Sequence, residues 1–208
     1  MINLVIFDMD GLMFDTETLS FKMWHQIFDK YSLKKDDNFF LILRGRNESD
    51  CVKLFNQEYQ VNIDFRKLKK EKNDLVYDYI IKNGVPIKKG LIKLLDYLKK
   101  NNIKIGLATS NKKEIAIKYL KLANVYNYFN YFVFGEDVVA SKPDPEIFEK
   151  CRLKAQVKQN ETLVLEDSKA GVDAALSAGL NVYWIPDGIE FSTKALRLNN
   201  LEEVIERI

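Results

Sequence analysis

The sequence predicts an α/β protein: a doubly wound parallel sheet, interrupted just after its first strand by an all-helical insertion. Three observations carry this. From residue 84 onward, short and nearly continuous apolar runs alternate with helical patterns, as strands buried on both faces require. One more such run stands by itself at residues 4–7. Between them, residues 15–83 carry apolar positions at helical spacing throughout.

The elements follow in order. Leu4 to Phe7 is the first strand. In the helical block, Trp24, Ile27, Phe28 and Tyr31 share one face. Cys51/Val52, Phe55 and Tyr59 repeat the spacing, and so do Leu68, Leu75/Val76 and Tyr79/Ile80. Asp64 is a candidate N-cap for the last of these helices, and Gly84 stands just past its end. The stripes read as core packing. Ile103 to Thr109 is the second strand, and Lys112 to Leu122 an amphipathic helix with Ile115, Tyr119 and Leu122 on one face. Tyr131 to Phe134 is a strand, and Pro145 to Leu153 a helix with proline near its first turn. Thr162 to Leu165 is a strand, Lys169 to Ala178 an Ala-rich helix stopped by Gly179, and Leu180 to Ile185 the last strand. The expected division is a sheet domain of residues 1–14 and 84–208 and a helical domain of residues 15–83. The connections would lie near Phe14–Thr16 and Asn83–Pro86.

The totals exclude several function classes. A chain of 208 residues, 47% hydrophobic and 30% charged, is expected to be soluble and globular. A net charge of +2 gives no push toward nucleic acid, and the scattered lysine runs read as solvated helix faces. Charges interrupt every apolar run, so no membrane span is expected. No secretion signal is read at the N-terminus. Cys51 and Cys151 are expected to be free thiols in a cytoplasmic protein.

In an open parallel sheet, ligands bind at the carboxyl ends of the strands, so the residues following each strand test for a site. The first strand ends in Asp8-Met9-Asp10 and the second in Thr109-Ser110-Asn111. The loop after the third carries Ser141-Lys142-Pro143, and the fourth ends in Glu166-Asp167-Ser168. Each element alone is weak. Asp-x-Asp occurs once, as chance would give; a Ser after a strand is often a helix N-cap; a lone lysine is usually at the surface. In order, at four successive strand ends, they form a pattern. Several carboxylates brought close need a cation to be ionised together, and oxygen-only ligands favour Mg²⁺ over Zn²⁺. The single histidine, His25, sits in the helical block and reads as an ordinary helix residue. With no His, Cys or Ser nucleophile at this edge, aspartate is the candidate. A carboxylate attacks phosphorus and gives an acyl phosphate, whose charge the metal, Lys142, Thr109 and backbone N–H groups would offset. The helix starting near Lys112 would add its N-terminal dipole. Other phosphate devices are missing: there is no P-loop, no G-x-G among the nine glycines, and neither cysteine has an arginine six residues on.

FDMDGLMFDTE, LATSN, SKPDPEIF and EDSKAGVDAA resemble, in order, the four motifs of the haloacid dehalogenase superfamily. The resemblance covers essentially the whole chain. It implies a Rossmann-like core, a helical cap of the type shared with β-phosphoglucomutase, and Mg²⁺-dependent phosphoryl transfer. Asp8 would be the nucleophile, and Asp10 the acid toward the leaving oxygen, then the base for water. Thr109 and Lys142 would hold the phosphoryl group, and Ser110 and Asn111 would line the site. Asp8, the Asp10 carbonyl and Asp167 would bind Mg²⁺, with Glu166 direct or through water. Gly11 would let the chain turn away toward the cap. Arg44 and Arg46, in the cap's LRGRNESD loop, would contact substrate as the cap closes over the core.

Asp10 argues for phosphate chemistry, because a true dehalogenase of this superfamily lacks that acid. Where β-phosphoglucomutases carry a histidine early in the first cap helix, this chain has Ser20, and Glu48 stands where they use an arginine for the distal phosphate. The expected activity is therefore a phosphatase acting on a small sugar or nucleoside-type phosphate, with a sugar phosphomutase as rival. A monomer or weak homodimer is expected. A more distant alternative is a non-enzymatic binding protein or phospho-receiver, in which the phosphorylated aspartate follows the third strand, here Asp137.

Overall fold

The computed structural model describes residues 1–43 and 48–208. It divides into two compact units, one of Met1–Asp15 and Val85–Ile208, the other of Thr16–Gly84. Each crossing falls one residue beyond the boundary read from the sequence. Asp15 stays with the sheet unit because its N–H donates to the Pro86 carbonyl, extending the Phe14–Ile87 bridge. Gly84 stays with the helical unit because its N–H closes the last helix onto the Ile80 carbonyl, at φ 86°.

In the sheet unit, β1 (Leu4–Phe7), β2 (Lys104–Ala108), β3 (Tyr131–Val133), β4 (Thr162–Glu166), β5 (Asn181–Trp184) and β6 (Leu196–Arg197) form one parallel sheet. Its order is β3-β2-β1-β4-β5-β6. All four β1 side chains are buried, as a strand covered on both faces demands. Leu4 and Ile6 join a core with Phe148 and Cys151 of α7 (Glu146–Ala155) and Val172 and Ala175 of α8 (Lys169–Ser177). On the alternate face, Phe7 meets Phe129 edge-on at 5.9 Å. Helices α5 (Leu91–Lys100) and α6 (Lys113–Leu122) flank β2 in the chain, and α5 packs against it.

Three elements are not among those read from the sequence above, the first being the seven-residue helix Asp37–Leu43 within the helical block. Helix α5 buries Leu91, Leu94, Leu95 and Leu98, a clean i, i+3, i+4, i+7 stripe that carries the helical signal. Strand β6 is two exposed residues at the sheet edge, too short for any periodicity.

The helical unit contains α1 (Thr16–Lys30), α2 (Asp37–Leu43), α3 (Glu48–Tyr59) and α4 (Phe65–Asn83). Its core is aromatic: Phe28 and Phe40 meet edge-to-face at 4.7 Å, and Trp24 stacks on Phe65 at 5.5 Å. Asp64 caps α4 by accepting the Arg66 N–H. Among the described residues, no helix is long and apolar enough to cross a membrane.

Candidate active site

The sheet reverses its winding beside β1, with β2 and β3 on one side and β4 on the other. That switch point is where such sheets leave a crevice at their carboxyl end. The ladder fixes what stands there. Asp8 directly follows β1, and its N–H donates to the Leu165 carbonyl at 3.1 Å. The Thr109 N–H donates to the Val133 carbonyl at 3.1 Å, and the Glu166 carbonyl accepts from Ile185 at 2.8 Å. Three strand ends therefore hold their polar residues through backbone hydrogen bonds.

Lys142 arrives from the loop after β3 and ties two of those ends together. Its side chain is only 8% exposed, and its Nζ lies 2.5 Å from Asp8 Oδ1 and 2.6 Å from Glu166 Oε1. The ammonium also sits 4.8 Å from the centre of the Phe148 ring, a cation–π contact inside the core. Glu166 is fully buried. Its second oxygen accepts from the Asp167 N–H, the Ser168 N–H and the Ser168 hydroxyl, each at 3.0 Å. Ser168 is at once the N-cap of α8, accepting from the Gly171 N–H at 3.1 Å, and a hydrogen-bond donor to the buried carboxylate.

Burial pushes the Asp8 carboxyl up from 3.8 to about 7; Lys142 pulls it down, and Glu166 and Asp10 push it further up. Burial also disfavours the Lys142 charge, but Asp8 and Glu166 outweigh it and raise the ammonium above its ordinary value. The two shifts oppose each other across one contact. The cation is the firm member, since two carboxylates face it, whereas Asp8 shares it with Glu166.

Beside this cluster, Asn111 Nδ2 donates to Asp10 Oδ2. Thr109 is buried, and its hydroxyl accepts from the Asn111 N–H at 3.2 Å. Ser110 is exposed, and its backbone lies against Gly135, where a Cβ would fall 2.3 Å from the Ser110 carbonyl oxygen. Gly11, at φ 78°, brings the chain so close to Asp167 that a Cβ would fall 2.2 Å from Oδ2.

Asp8, Glu166 and Asp167 each offer a carboxylate oxygen, all within 4.8 Å of one another. An all-oxygen set suits a hard divalent cation. These three acids outnumber the lysine that bridges two of them. The residues therefore fit such an ion. The Asp10 carboxylate is not one of the three. Arg44 and Arg46 lie outside the described residues. Asp137 accepts the Phe134 N–H at 2.9 Å, the role of a loop cap.

The haloacid dehalogenase-like hydrolase family model matches residues 5–185, a span that contains all four strand-end motifs. The chain belongs to this family. It is 31% identical over 179 residues to a phosphorylated carbohydrates phosphatase of Thermotoga maritima, covering 85% of this chain and 81% of that protein. To the β-phosphoglucomutase of Bacillus subtilis it is 31% identical over 191 residues, covering 88% and 83%. The crystal structure of a β-phosphoglucomutase from Clostridium difficile superposes with a TM-score of 0.76 at 26% identity, over 98% of this chain and 93% of that one.

In this haloacid dehalogenase-like chain, three residues take parts in the site that a reading of strand ends does not assign. Phe148 lies six residues past Lys142, and no local pattern links them. Ser168 reads as a cap only. Gly171 is the sharpest case: a Cβ there would fall 1.7 Å from Glu166 Oε1. Its signal was available, since glycine in the first turn of an Ala-rich helix costs stability unless something needs the space.

Proposed function

We propose that this protein is a Mg²⁺-dependent phosphomonoesterase acting on a small phosphorylated metabolite, a sugar or nucleoside-type phosphate, through an aspartyl phosphate. The observation that carries it is the buried Lys142 bridging Asp8 and Glu166 at the sheet's switch point. In this reading an Asp8 carboxylate oxygen attacks phosphorus as the bond to the leaving oxygen breaks, and Asp10 gives that oxygen its proton. Asp10 then takes a proton from water, the water oxygen attacks the phosphorus, and Asp8 is freed. Asn111 orients Asp10 through its amide. The Lys142 ammonium, the Thr109 hydroxyl and nearby N–H groups hold the phosphoryl oxygens. A magnesium ion held by Asp8, Asp167 and the Asp10 carbonyl, with Glu166 direct or through water, would neutralise charge on the transferring group.

The rival is a sugar phosphomutase, which the β-phosphoglucomutase relative favours. Against it stand two helical-unit positions. Ser20, where those mutases carry histidine, accepts a hydrogen bond from Lys72 Nζ at 2.9 Å. Glu48, in place of their arginine, pairs with Arg66 and Lys69, both at 3.3 Å. The helical unit would select the substrate. The relatives' printed activities, on phosphorylated carbohydrates and fructose 1-phosphate, support a sugar phosphate as first choice.

A phosphate-release screen over a metabolite panel, with Mg²⁺ and with EDTA, tests this. Release that requires Mg²⁺ is expected from at least one sugar or nucleoside phosphate. Isomerisation of a hexose 1-phosphate that needs a bisphosphate primer and frees little phosphate would establish the mutase instead.

A further inference from the structure

Asp8, Thr109 and Glu166 are placed by the sheet ladder, but Lys142 is carried by a loop and reaches the site on a flexible four-carbon stem. Something must fix that loop. The observed fastening is the carboxylate of Glu146, the first residue of α7. Its Oε2 accepts two consecutive loop N–H groups, Val139 at 2.8 Å and Ala140 at 3.0 Å. Its Oε1 takes Lys150 Nζ, one turn along the same helix, at 2.5 Å. Lys150 in turn donates to the Asp137 carbonyl at 2.7 Å, at the loop's other shoulder. The Glu146 N–H donates to Asp144 Oδ1 at 2.9 Å, and the Asp144 N–H to the Ser141 carbonyl at 3.1 Å. The segment is thus gripped on both sides of Lys142, two and three residues before it by one carboxylate and two residues after it by Asp144.

We propose that Glu146 is the positioning residue for Lys142: it holds the loop so that the ammonium meets Asp8 and Glu166. This rests on the phosphoryl-transfer reading above. The alternative is generic, an acid at a helix N-terminus that stabilises α7 through the dipole. The two differ in what they require. The dipole needs a negative charge near the first turn, which the Glu146→Asp variant would still supply. Positioning needs an acceptor at the reach of Glu, which an amide oxygen would supply without charge.

The experiment compares Glu146→Gln, Glu146→Asp and Glu146→Ala with the parent, using the phosphomonoester turned over best with Mg²⁺. If Glu146 positions Lys142, Gln keeps kcat/KM within about threefold of the parent, while Asp and Ala each lose about tenfold or more. Thermal melts of all three remain cooperative. Two readouts do not depend on turnover: amide hydrogen exchange at Val139 and Ala140, and the labelling rate of the Lys142 amine by acetic anhydride in EDTA. Both should rise in the Asp and Ala variants and stay near the parent in Gln. Should Asp match the parent while Gln fails, the dipole account holds and the proposal falls. Unchanged exchange and labelling in the Ala variant would overturn it as well. A parent that releases no phosphate from any substrate would defeat the phosphatase reading alone, since exchange and labelling still judge Glu146.

Discussion

Gly171→Ala sets two effects against each other, and their sizes decide the outcome. On helix propensity alone the change is favourable by about 0.5–1 kcal/mol, because α8 gains an alanine and the unfolded chain loses freedom. The geometry says otherwise. The new methyl would fall 1.7 Å from Glu166 Oε1 and 1.9 Å from its carboxyl carbon. Ordinary contact begins near 3.4 Å, so the carboxylate or the helix must retreat by more than 1 Å. Glu166 has nowhere to go. It is fully buried, with Lys142 at 2.6 Å on one oxygen and three donors at 3.0 Å on the other. Disrupting a buried pair of this kind costs roughly 3–5 kcal/mol. After the propensity gain is subtracted, a net loss of about 2–4 kcal/mol is expected, which lowers Tm by roughly 5–15 °C for a chain of this size. The assay is thermal unfolding in EDTA, followed by circular dichroism. Repeating it in a Glu166→Ala background removes the obstructing carboxylate, and there the same Gly171→Ala change should be neutral or stabilising. A Tm equal to or above the parent's in the single variant would refute the packing of Glu166 against α8.

Asp8→Asn should abolish phosphate release, by about 10³-fold or more given the loss of a nucleophile, yet leave the metal-free protein at least as stable above pH 7, where burial works against the ionised carboxyl; near-normal turnover would remove Asp8 from the mechanism. Because the folded state holds the Asp8 proton up to about pH 7 while the unfolded state releases it near 3.8, the folded chain carries more protons in between, and this contribution to stability falls as pH rises through that window; the parent-minus-Asn difference in EDTA, measured from pH 4 to 8, isolates it. A Mg²⁺ ion held as proposed would compete with that proton, so the Tm gain on adding Mg²⁺ should grow from pH 5 to 8 and shrink in Asp8→Asn. Gly106→Ala would place a methyl 2.6 Å from the buried Cys151 sulfur, an overpacking worth about 1–3 kcal/mol; adding Cys151→Ala makes room, so denaturant unfolding of the double variant should show less loss than the two singles summed.

The strand ends were legible because burial and charge oppose each other there. An apolar run such as Leu4–Phe7 that stops on Asp8 announces its own carboxyl end, and the same holds at Thr109 and Glu166. Helix α5 is missing from the sequence reading, although the spacing of Leu91, Leu94, Leu95 and Leu98 carries its signal. The order β3-β2-β1-β4-β5-β6 was not legible, because the pairings that place β1 at its centre join distant residues, Phe7 with Leu107 and with Leu165, and leave no local pattern. Two contacts stay hidden even at short range, because the chain turns between their partners: Phe148 under the Lys142 ammonium, and the space that Gly171 yields to Glu166. Glu146 reads in sequence as one more acid at the start of a helix, and only the folded loop shows which N–H groups it serves.

These levels of legibility follow how each group is held. Asp8, Thr109 and Glu166 inherit their places from ladder hydrogen bonds that the hydrophobic strands make in any case, so the acids are preorganised at no further conformational cost. Lys142 is different, since fixing its side chain forfeits about 2 kcal/mol of rotamer entropy before any contact forms. Two short ionic contacts and an aromatic ring offset that loss, but only while the loop backbone stays put. The acids are thus secured by the fold's core, and Lys142 by a surface loop and its carboxylate clasp. Substitutions that tune the site without unfolding the sheet should therefore cluster between Asp137 and Glu146 and not along β1 or β4. A saturation scan scored jointly for Tm and phosphate release checks this: loop variants should lose activity at near-constant Tm, while β1 and β4 variants should lose both together.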